Sequence, residues 1–368
     1  MSTIISHTND ARVGAARART RRGLRRVAAA PAVGIALLAA GVGSAQAAPA
    51  ASGSVGTVKV GAHPQSIAIS TQQSRGYVLN AGSNRVPGSV TVLNLTTHRR
   101  LATVQVAAPD LFTIGLVPGD SEAYIGAFQS SSLEVLNTAS LTLTGTVQVG
   151  PGATDVVAAQ TKSGGYAYVT ELLPTQLGAV AVVRTSDNQL VDTIPLSEGA
   201  QTAATSNDGQ EVWVGSAVTG AIWVIDTSTQ KVVREISVPD AGPVTSIAFS
   251  PDGTRAWVYG MAGVSVVDVA SGDQVAFVPI ASIFPNTSPN AGSIALTSSG
   301  RYALVVNSTF PDAPKRGTVA ILDTTTLKVV SQVQVGTEPT SLALDTTSSA
   351  AYATNYINGT VSYFQVPN

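Results

Sequence analysis

Short apolar runs, each followed by polar turn residues, recur about every 45 residues from residue 55 to the C-terminus. Each unit holds four such runs, of which the first is the best kept, as in Ile67–Ser70, Ile247–Ser250 and Ile294–Thr297. Short runs between turn residues are typical of β-strands. A four-strand unit that repeats at this period predicts the blade of a β-propeller.

The turns support a division of each unit into strands a, b, c and d. Asn207-Asp208-Gly209 and Pro251-Asp252-Gly253 join strand a to strand b as tight turns, in which glycine supplies a positive φ. Hydrophobic and polar residues alternate only weakly in Ile222–Ile225, within strand c of the fourth unit. Weak alternation is expected where neighbouring blades cover both faces of a strand.

The seventh unit lacks a fourth strand, because only three apolar runs follow residue 340. Residues 53–60, at the other end of the repeat region, resemble the fourth strands of the complete units. We therefore predict an all-β fold, a seven-bladed β-propeller with four-stranded antiparallel blades, whose last blade is closed by the N-terminal strand. Closure removes open sheet edges, so residues 53–368 are predicted to form a single domain.

Residues 1–47 differ in composition from the repeats. They hold seven arginines and one acid, Asp10, followed by an apolar stretch at 27–42 and by Ala45-Gln46-Ala47. A basic start, a short apolar segment and an Ala-x-Ala site predict an export signal, since a membrane span needs about 20 apolar residues. Residues 48–52 would then be a short flexible start of the mature chain. Residues 20–24 resemble a twin-arginine signal, so both export routes stay open.

Composition narrows the classes of partner. The chain has no cysteine and carries 21 basic and 22 acidic residues, and 14 basic and 21 acidic residues remain without residues 1–47. An acidic mature chain disfavours nucleic acid and anionic membranes as partners. Without cysteine there is no disulfide framework or thiol chemistry. We expect a secreted or cell-envelope-associated bacterial protein, monomeric and without stable membrane insertion after signal removal.

Several units carry motifs that resemble a known family. Strand b reads Tyr77-Val78-Leu79-Asn80, Tyr168-Val169-Thr170-Glu171 and Tyr352-Ala353-Thr354-Asn355, and Val60–Pro64 and Val335–Pro339 precede strand a in two units. These motifs resemble the YVTN family of β-propeller repeats, over about residues 55–366. The resemblance implies an exported or surface-associated propeller. The motif implies a fold and no particular chemistry.

Long loops are predicted on one rim of the ring only. The loops from strand d to the next strand a, and from b to c, share a rim, and the longest are Ala281–Gly292 and Ser308–Thr318 in the sixth unit. Insertions confined to one face usually mark the binding face of a repeat fold, although drift of unconstrained loops would give the same pattern. Loop aromatics among polar residues are typical interface anchors. The predicted binding residues are Phe284, Asn286, Phe310, Asp312, Lys315 and Arg316.

A second group of candidates lies where the register places the mouth of the central channel. These residues flank strands a and b and are rich in ligand atoms: His63, Asn80, Asp155, Glu171, Asn307, Glu338 and Asn355. Calcium takes six to eight oxygen ligands, so the mouth could hold Ca²⁺ or another divalent cation, an arrangement similar to that of propeller lactone hydrolases. The competing interpretation is structural, because Asn80 and Asn355 can bond nearby turn backbone.

No catalytic constellation is evident in the sequence. No serine lies in a Gly-x-Ser-x-Gly elbow, and no histidine cluster suits zinc. We therefore expect an exported, non-enzymatic propeller that binds a protein or cell-envelope polymer through its loop-rich rim. The alternative is a metal-assisted hydrolase or lyase of small cyclic esters at the channel mouth, where a cation would polarise the carbonyl. No other cofactor is predicted.

Overall fold

The repeat pattern folds into seven antiparallel sheets of four strands each. The computed structural model describes residues 54–83, 86–108, 110–173, 177–284, 292–307 and 316–367. Within these residues the strand order of six sheets follows the chain, a to b to c to d, and in the seventh sheet the fourth strand comes from the start of the repeat region. The predicted all-β, seven-bladed propeller is confirmed.

The first strand, β1 (Gly56–Lys59), belongs to the last blade, and the next sixteen strands build blades one to four. Blades one and two comprise β2 (Pro64–Ser70), β3 (Arg75–Asn80), β4 (Gly88–Asn94), β5 (Arg99–Val106), β6 (Leu111–Leu116), β7 (Glu122–Ala127), β8 (Ser132–Asn137) and β9 (Thr142–Gln148). Blades three and four comprise β10 (Ala153–Thr161), β11 (Gly164–Leu172), β12 (Gly178–Arg184), β13 (Gln189–Leu196), β14 (Ala200–Thr205), β15 (Glu211–Ser216), β16 (Ala221–Asp226) and β17 (Lys231–Ser237).

The remaining strands build blades five to seven, with one short helix after blade five. Blade five and the helix comprise β18 (Val244–Phe249), β19 (Arg255–Gly260), β20 (Gly263–Asp268), β21 (Gln274–Pro279) and α1 (Ile280–Ile283). Blades six and seven comprise β22 (Gly292–Leu296), β23 (Tyr302–Asn307), β24 (Arg316–Asp323), β25 (Lys328–Thr337), β26 (Pro339–Asp345), β27 (Ala350–Asn355) and β28 (Thr360–Gln365).

Burial changes systematically across each blade. The first strands contact one another around the ring and line the channel, and the second strands are almost wholly buried, as in β3 and β15. The fourth strands are largely exposed, as in β5 and β13. The core therefore lies between blades, where apolar side chains of adjacent sheets pack face to face.

One position of the second strand carries a large side chain in every blade. It lies opposite a small or medium residue of the first strand, so that Tyr77 pairs with Ala68 and Trp213 with Ala204. The seven residues at this position are Tyr77, Tyr124, Tyr168, Trp213, Trp257, Leu304 and Tyr352, all buried. Tyr352 also reaches the next blade, where its hydroxyl donates to the Leu95 carbonyl at 3.1 Å. These side chains pack between neighbouring blades and hold them together.

The two ends of the repeat region meet in blade seven, as predicted. β1 pairs antiparallel with β28, with Val58 opposite Val361 and Gly56 opposite Tyr363. A Cβ on Gly56 would lie 2.1 Å from Cζ of Tyr363, so glycine is required for this approach. On the side of blade one, His98 stacks on Tyr363 with ring centroids 3.9 Å apart. The ring is thus closed by strand pairing and braced by an aromatic contact.

The helix α1 was not predicted, and it lies in the segment expected to be a long loop. Its residues Ile280 and Ile283 are buried against blades five and six. No helix among the residues described is long and apolar enough to cross a membrane.

Candidate functional site

The two faces of the ring carry different loops. The loops from a fourth strand to the next first strand, and those from a second to a third strand, form one face, called here the loop face. The remaining turns form the opposite face, and those described are short throughout. The loop face includes α1. Residues 285–291 and 308–315, which belong to the two longest predicted loops, lie outside the described residues.

A residue at the end of the second strand, or one position before its end, holds the preceding blade crossover in three blades. In each case its side-chain oxygen accepts a hydrogen bond from a glycine amide. The pairs are Asn80 Oδ1 with Gly61 at 2.9 Å, Glu171 Oε1 with Gly150 at 2.6 Å, and Asn355 Oδ1 with Gly336 at 2.8 Å. A Cβ on Gly61 would lie 2.6 Å from Cγ of Asn80, which explains the glycine.

The side-chain amide groups of the two asparagines also donate hydrogen bonds within their own blades. Asn80 Nδ2 donates to Thr91 Oγ1 at 3.0 Å, and Asn355 Nδ2 donates to Ser362 Oγ at 3.0 Å. Both asparagines are fully buried. Asn80 and Asn355, predicted as possible ligands of a channel-mouth cation, therefore hold blade geometry, in agreement with the structural interpretation.

Asp155 ties three blades together at the channel. Its Oδ2 accepts from the Ala203 amide and from Thr202 Oγ1, both at 3.0 Å, and its Oδ1 accepts from the Val156 amide at 2.9 Å. Thr113 of blade two makes a longer contact to Oδ1, at 3.4 Å. Burial raises the pKa of this carboxyl group, and these donors oppose the rise. Its acceptor capacity is thus already used by the protein.

The channel mouth itself is a shallow recess of about 260 Å³. First-strand residues of all seven blades line it, and most are small hydroxyl or amide residues, such as Ser66, Gln201 and Ser341. Of the predicted channel-mouth candidates, Asp155 lines this recess. Another buried candidate, Asn307, ends the second strand of blade six and accepts a hydrogen bond from the Tyr259 hydroxyl at 3.2 Å. No group of three histidine, aspartate or glutamate side chains within the described part of the chain is placed to hold a metal ion.

His63 and Tyr356 form an aromatic pair between blades seven and one. Their rings stack with centroids 4.5 Å apart and planes 15° apart. His63 Nδ1 lies 2.5 Å from the Gly82 carbonyl, so Nδ1 carries the proton and donates it to that oxygen. In the neutral ring the other nitrogen, Nε2, is then an acceptor. Burial, and secondarily the charge of Glu338, raise the pKa of Tyr356.

The residue directly before the first strand has a positive φ in four blades. Blade three uses Gly152 there, and blade five has a positive-φ glycine, Gly242, one residue earlier. Three consecutive blades, seven, one and two, use polar residues instead: Glu338 with φ 52°, His63 with φ 53° and Asp110 with φ 53°. This conformation costs energy for residues other than glycine, yet it is retained on one sector of the loop face.

The same sector contains a cavity of about 720 Å³. His63 and Tyr356 line one part of it, and Asp110 lies at its border with blade two. The rest of its wall is mostly apolar, with Val86, Pro87, Ala107 and Ala108, and also includes Ser83. Of the predicted channel-mouth candidates, only His63 lines this cavity.

The predicted binding residues of blade six are only partly described. Asn286, Phe310, Asp312 and Lys315 lie outside the described residues. Arg316 is exposed, and its Nε donates to the Val335 carbonyl at 3.2 Å. Phe284, expected to be an exposed anchor, is 5% exposed and packs in the core cluster of blades five and six. That expectation is wrong because α1 turns this aromatic side chain inward.

A ring of exposed apolar side chains, missed by the sequence analysis, lies on the loop face. The loop between the second and third strands contributes one such residue in each of the six blades where this loop is described. The members of this apolar ring are Val86, Phe128, Leu177, Val218, Met261 and Ile357. An alignment of the units by blade position would have found this signal.

The apolar ring is specific to one face. The other exposed large apolar side chains of the described residues all lie in fourth strands: Leu101, Leu190, Val191, Val232, Val233, Val275 and Val330. The described turns of the opposite face contain none. The crossovers of the loop face add acids, namely Asp110, Glu198, Asp240 and Glu338. The loop face thus combines apolar side chains with negative charge.

Comparison with known proteins supports the fold alone. The chain is similar to a solved structure of Kuenenia stuttgartiensis hydrazine synthase, with 19% identity, a TM-score of 0.70, and coverage of 83% of this chain and 96% of that chain. No family model and no curated protein matches the chain. The resemblance to the YVTN family therefore stays an interpretation of the motifs.

Proposed function

We propose that this chain is an exported, non-enzymatic β-propeller that binds a protein through its loop face. The observation that carries the proposal is the apolar ring, with side chains such as Val86 and Ile357 each 49% exposed. Exposed apolar side chains that recur on one face among polar residues suit an interaction site, where a partner covers them. The export-type sequence of residues 1–47 supports a cell-envelope or extracellular setting.

The charge of the loop face supports a protein with a basic contact surface. Acids on its described crossovers, such as Glu198 and Asp240, repel anionic lipid headgroups and attract lysine and arginine. A hydrophilic envelope polymer would leave the apolar ring without a matching surface. A protein partner satisfies both the apolar and the charged features.

The test compares two quadruple threonine variants of matched exposure. The first changes Val86, Leu177, Val218 and Ile357 of the apolar ring, which are 48–49% exposed. The control changes Leu101, Leu190, Val233 and Val275 of fourth strands, which are 42–58% exposed. A partner is captured from an envelope fraction by cross-linking to the parent protein, identified and purified, and its affinity for each variant is measured.

The ring variant should bind the purified partner about tenfold or more weakly, a loss of about 1.4 kcal/mol or more, and the control variant should bind within about twofold of the parent protein. An equal loss of affinity in both variants would show that the loop face is not the binding surface. Retention on purified envelope glycan that survives protease treatment of the fraction would replace the protein partner by a polymer.

A further inference from the structure

The cavity on the loop face adjoins the apolar ring. Val86 belongs to the ring and also lines the cavity. Ile357, the ring residue of blade seven, follows Tyr356, which lines the cavity on the other side. A partner that lies on the ring between blades seven and one therefore also covers the cavity mouth.

Two polar groups of the cavity, on His63 and Asp110, are suited to receive hydrogen-bond donors. His63 uses its Nδ1 proton on the Gly82 carbonyl, so in the neutral ring the nitrogen left is the acceptor Nε2. The Asp110 side chain is exposed, and no described residue pairs with its carboxylate. A cavity that offers this carboxylate and this ring acceptor favours a cationic donor.

The remaining walls distinguish between cationic side chains. The stacked rings of His63 and Tyr356 offer an aromatic surface, and Ala107 and Ala108 offer an apolar one. A guanidinium is planar, stacks on aromatic rings and pairs with a carboxylate through two parallel N–H bonds. The arginine stem can lie on an apolar wall while its head stays polar. A lysine ammonium is more strongly hydrated and makes no planar stack.

We propose that this cavity receives an arginine side chain of the bound protein, whose guanidinium stacks on the His63–Tyr356 pair and forms an ion pair with Asp110. The inference rests on the proposed function, because it names the anchor residue of that interface. Arginine is among the residues that most often dominate binding from a central pocket.

The test uses a terminally blocked Ala-Arg-Ala tripeptide as probe, titrated into the purified protein and followed by ligand-observed NMR. A peptide with citrulline in place of arginine keeps the planar shape of the side chain without its charge. A peptide with lysine keeps the charge without the planar guanidinium group. The arginine peptide should bind saturably, the lysine peptide several-fold more weakly, and the citrulline peptide at least about tenfold more weakly.

Asp110→Asn is the diagnostic variant, because asparagine tolerates the positive φ of this position. It should weaken arginine-peptide binding about tenfold, without changing the melting temperature of the protein. Asp240→Asn, which removes the same charge from an exposed crossover outside the cavity, is the matched control and should bind as the parent does. A second variant, Tyr356→Leu, should reduce the preference for arginine over lysine.

Absence of saturable binding, equal binding of the citrulline peptide, or equal loss in Asp110→Asn and Asp240→Asn would overturn the arginine pocket. These outcomes are separable from failure of the proposed function, because the peptide assay needs no natural partner. If the ring variant no longer binds the purified partner and Asp110→Asn still does, the interface is supported and the arginine pocket is not. If the arginine peptide binds and the ring variant still binds its partner, the pocket is supported and the interface is not.

Discussion

At the scale of single residues, one carboxylate performs a task that neutral amides perform elsewhere. Glu171 anchors the Gly150 crossover in blade three, as Asn80 and Asn355 anchor theirs in blades one and seven. Burial raises the pKa of Glu171, and the single amide donor opposes that rise only in part. The charged form is therefore disfavoured in the folded state relative to the unfolded one.

Glu171→Gln should remove a pH dependence of stability. Between the ordinary pKa of 4.5 and the raised value, the folded state binds a proton that the unfolded state has lost. The contribution of Glu171 to the stability of the folded state is thus fully present below pH 4.5 and is lost as the pH rises through this window. Between pH 4 and pH 7 the free energy of unfolding of the variant should rise relative to that of the parent protein. The expected rise is about 1.4 kcal/mol for each unit by which the folded-state pKa is raised, and urea unfolding measures it. A constant difference across that range would contradict the assignment.

Two buried tyrosines should respond oppositely to loss of the hydroxyl group. The Tyr168 hydroxyl is buried and has no hydrogen-bond partner among the described residues, whereas that of Tyr352 donates to Leu95. Tyr168→Phe should leave the free energy of unfolding unchanged or raise it by about 1 kcal/mol, and Tyr352→Phe should lower it by about 1 kcal/mol. Chemical denaturation of both variants measures the contrast. A loss for Tyr168→Phe as large as that for Tyr352→Phe would indicate a bound water at Tyr168.

At the scale of elements, β1 depends most on partners distant in the chain. It has only four residues, yet it supplies the fourth strand of blade seven and brings Val58 against Val361. Val60, which follows it, is buried and its amide donates to the Gly359 carbonyl at 2.9 Å. These contacts join sequence positions about 300 residues apart, so they stabilise the ring as a whole.

A chain that begins at residue 61 should be less stable than one that begins at residue 54. The loss of β1 exposes β28 as an edge and removes roughly 3–5 kcal/mol of apolar burial and hydrogen bonding. The free energy of unfolding of a whole domain is about 5–15 kcal/mol. Differential scanning calorimetry should therefore show a melting temperature lower by many degrees. Equal melting temperatures would show that β1 pairing contributes little.

The elements themselves were largely predictable, because each short apolar run is followed by turn residues that end it. The missing fourth strand of the last unit also predicted the β1–β28 pairing. The helix α1 was not predictable, since Ile280–Ile283 continues an apolar strand without capping residues. Its effect on Phe284 shows why a loop aromatic cannot be assigned to the surface from sequence alone: burial depends on how the backbone leaves the preceding strand.

At the scale of the whole molecule, the candidate site depends on juxtapositions that the sequence does not display. The predicted loop-rich face is the face that carries the apolar ring, but the ring members are single residues in loops of different lengths. His63 was a candidate because it is a rim histidine. Its stacking on Tyr356 arises only when blades one and seven meet, so the cavity could not be inferred before closure was known.

The pairing of β1 with β28 also has a consequence for biosynthesis. β1 precedes every other strand of the described residues, and its partner β28 follows all of them. β1 must therefore stay unpaired until β28 has been synthesised. A chain cut short before residue 360 would display an unsatisfied edge at both termini of its repeat array, a feature by which chaperones and proteases can distinguish incomplete copies from finished ones.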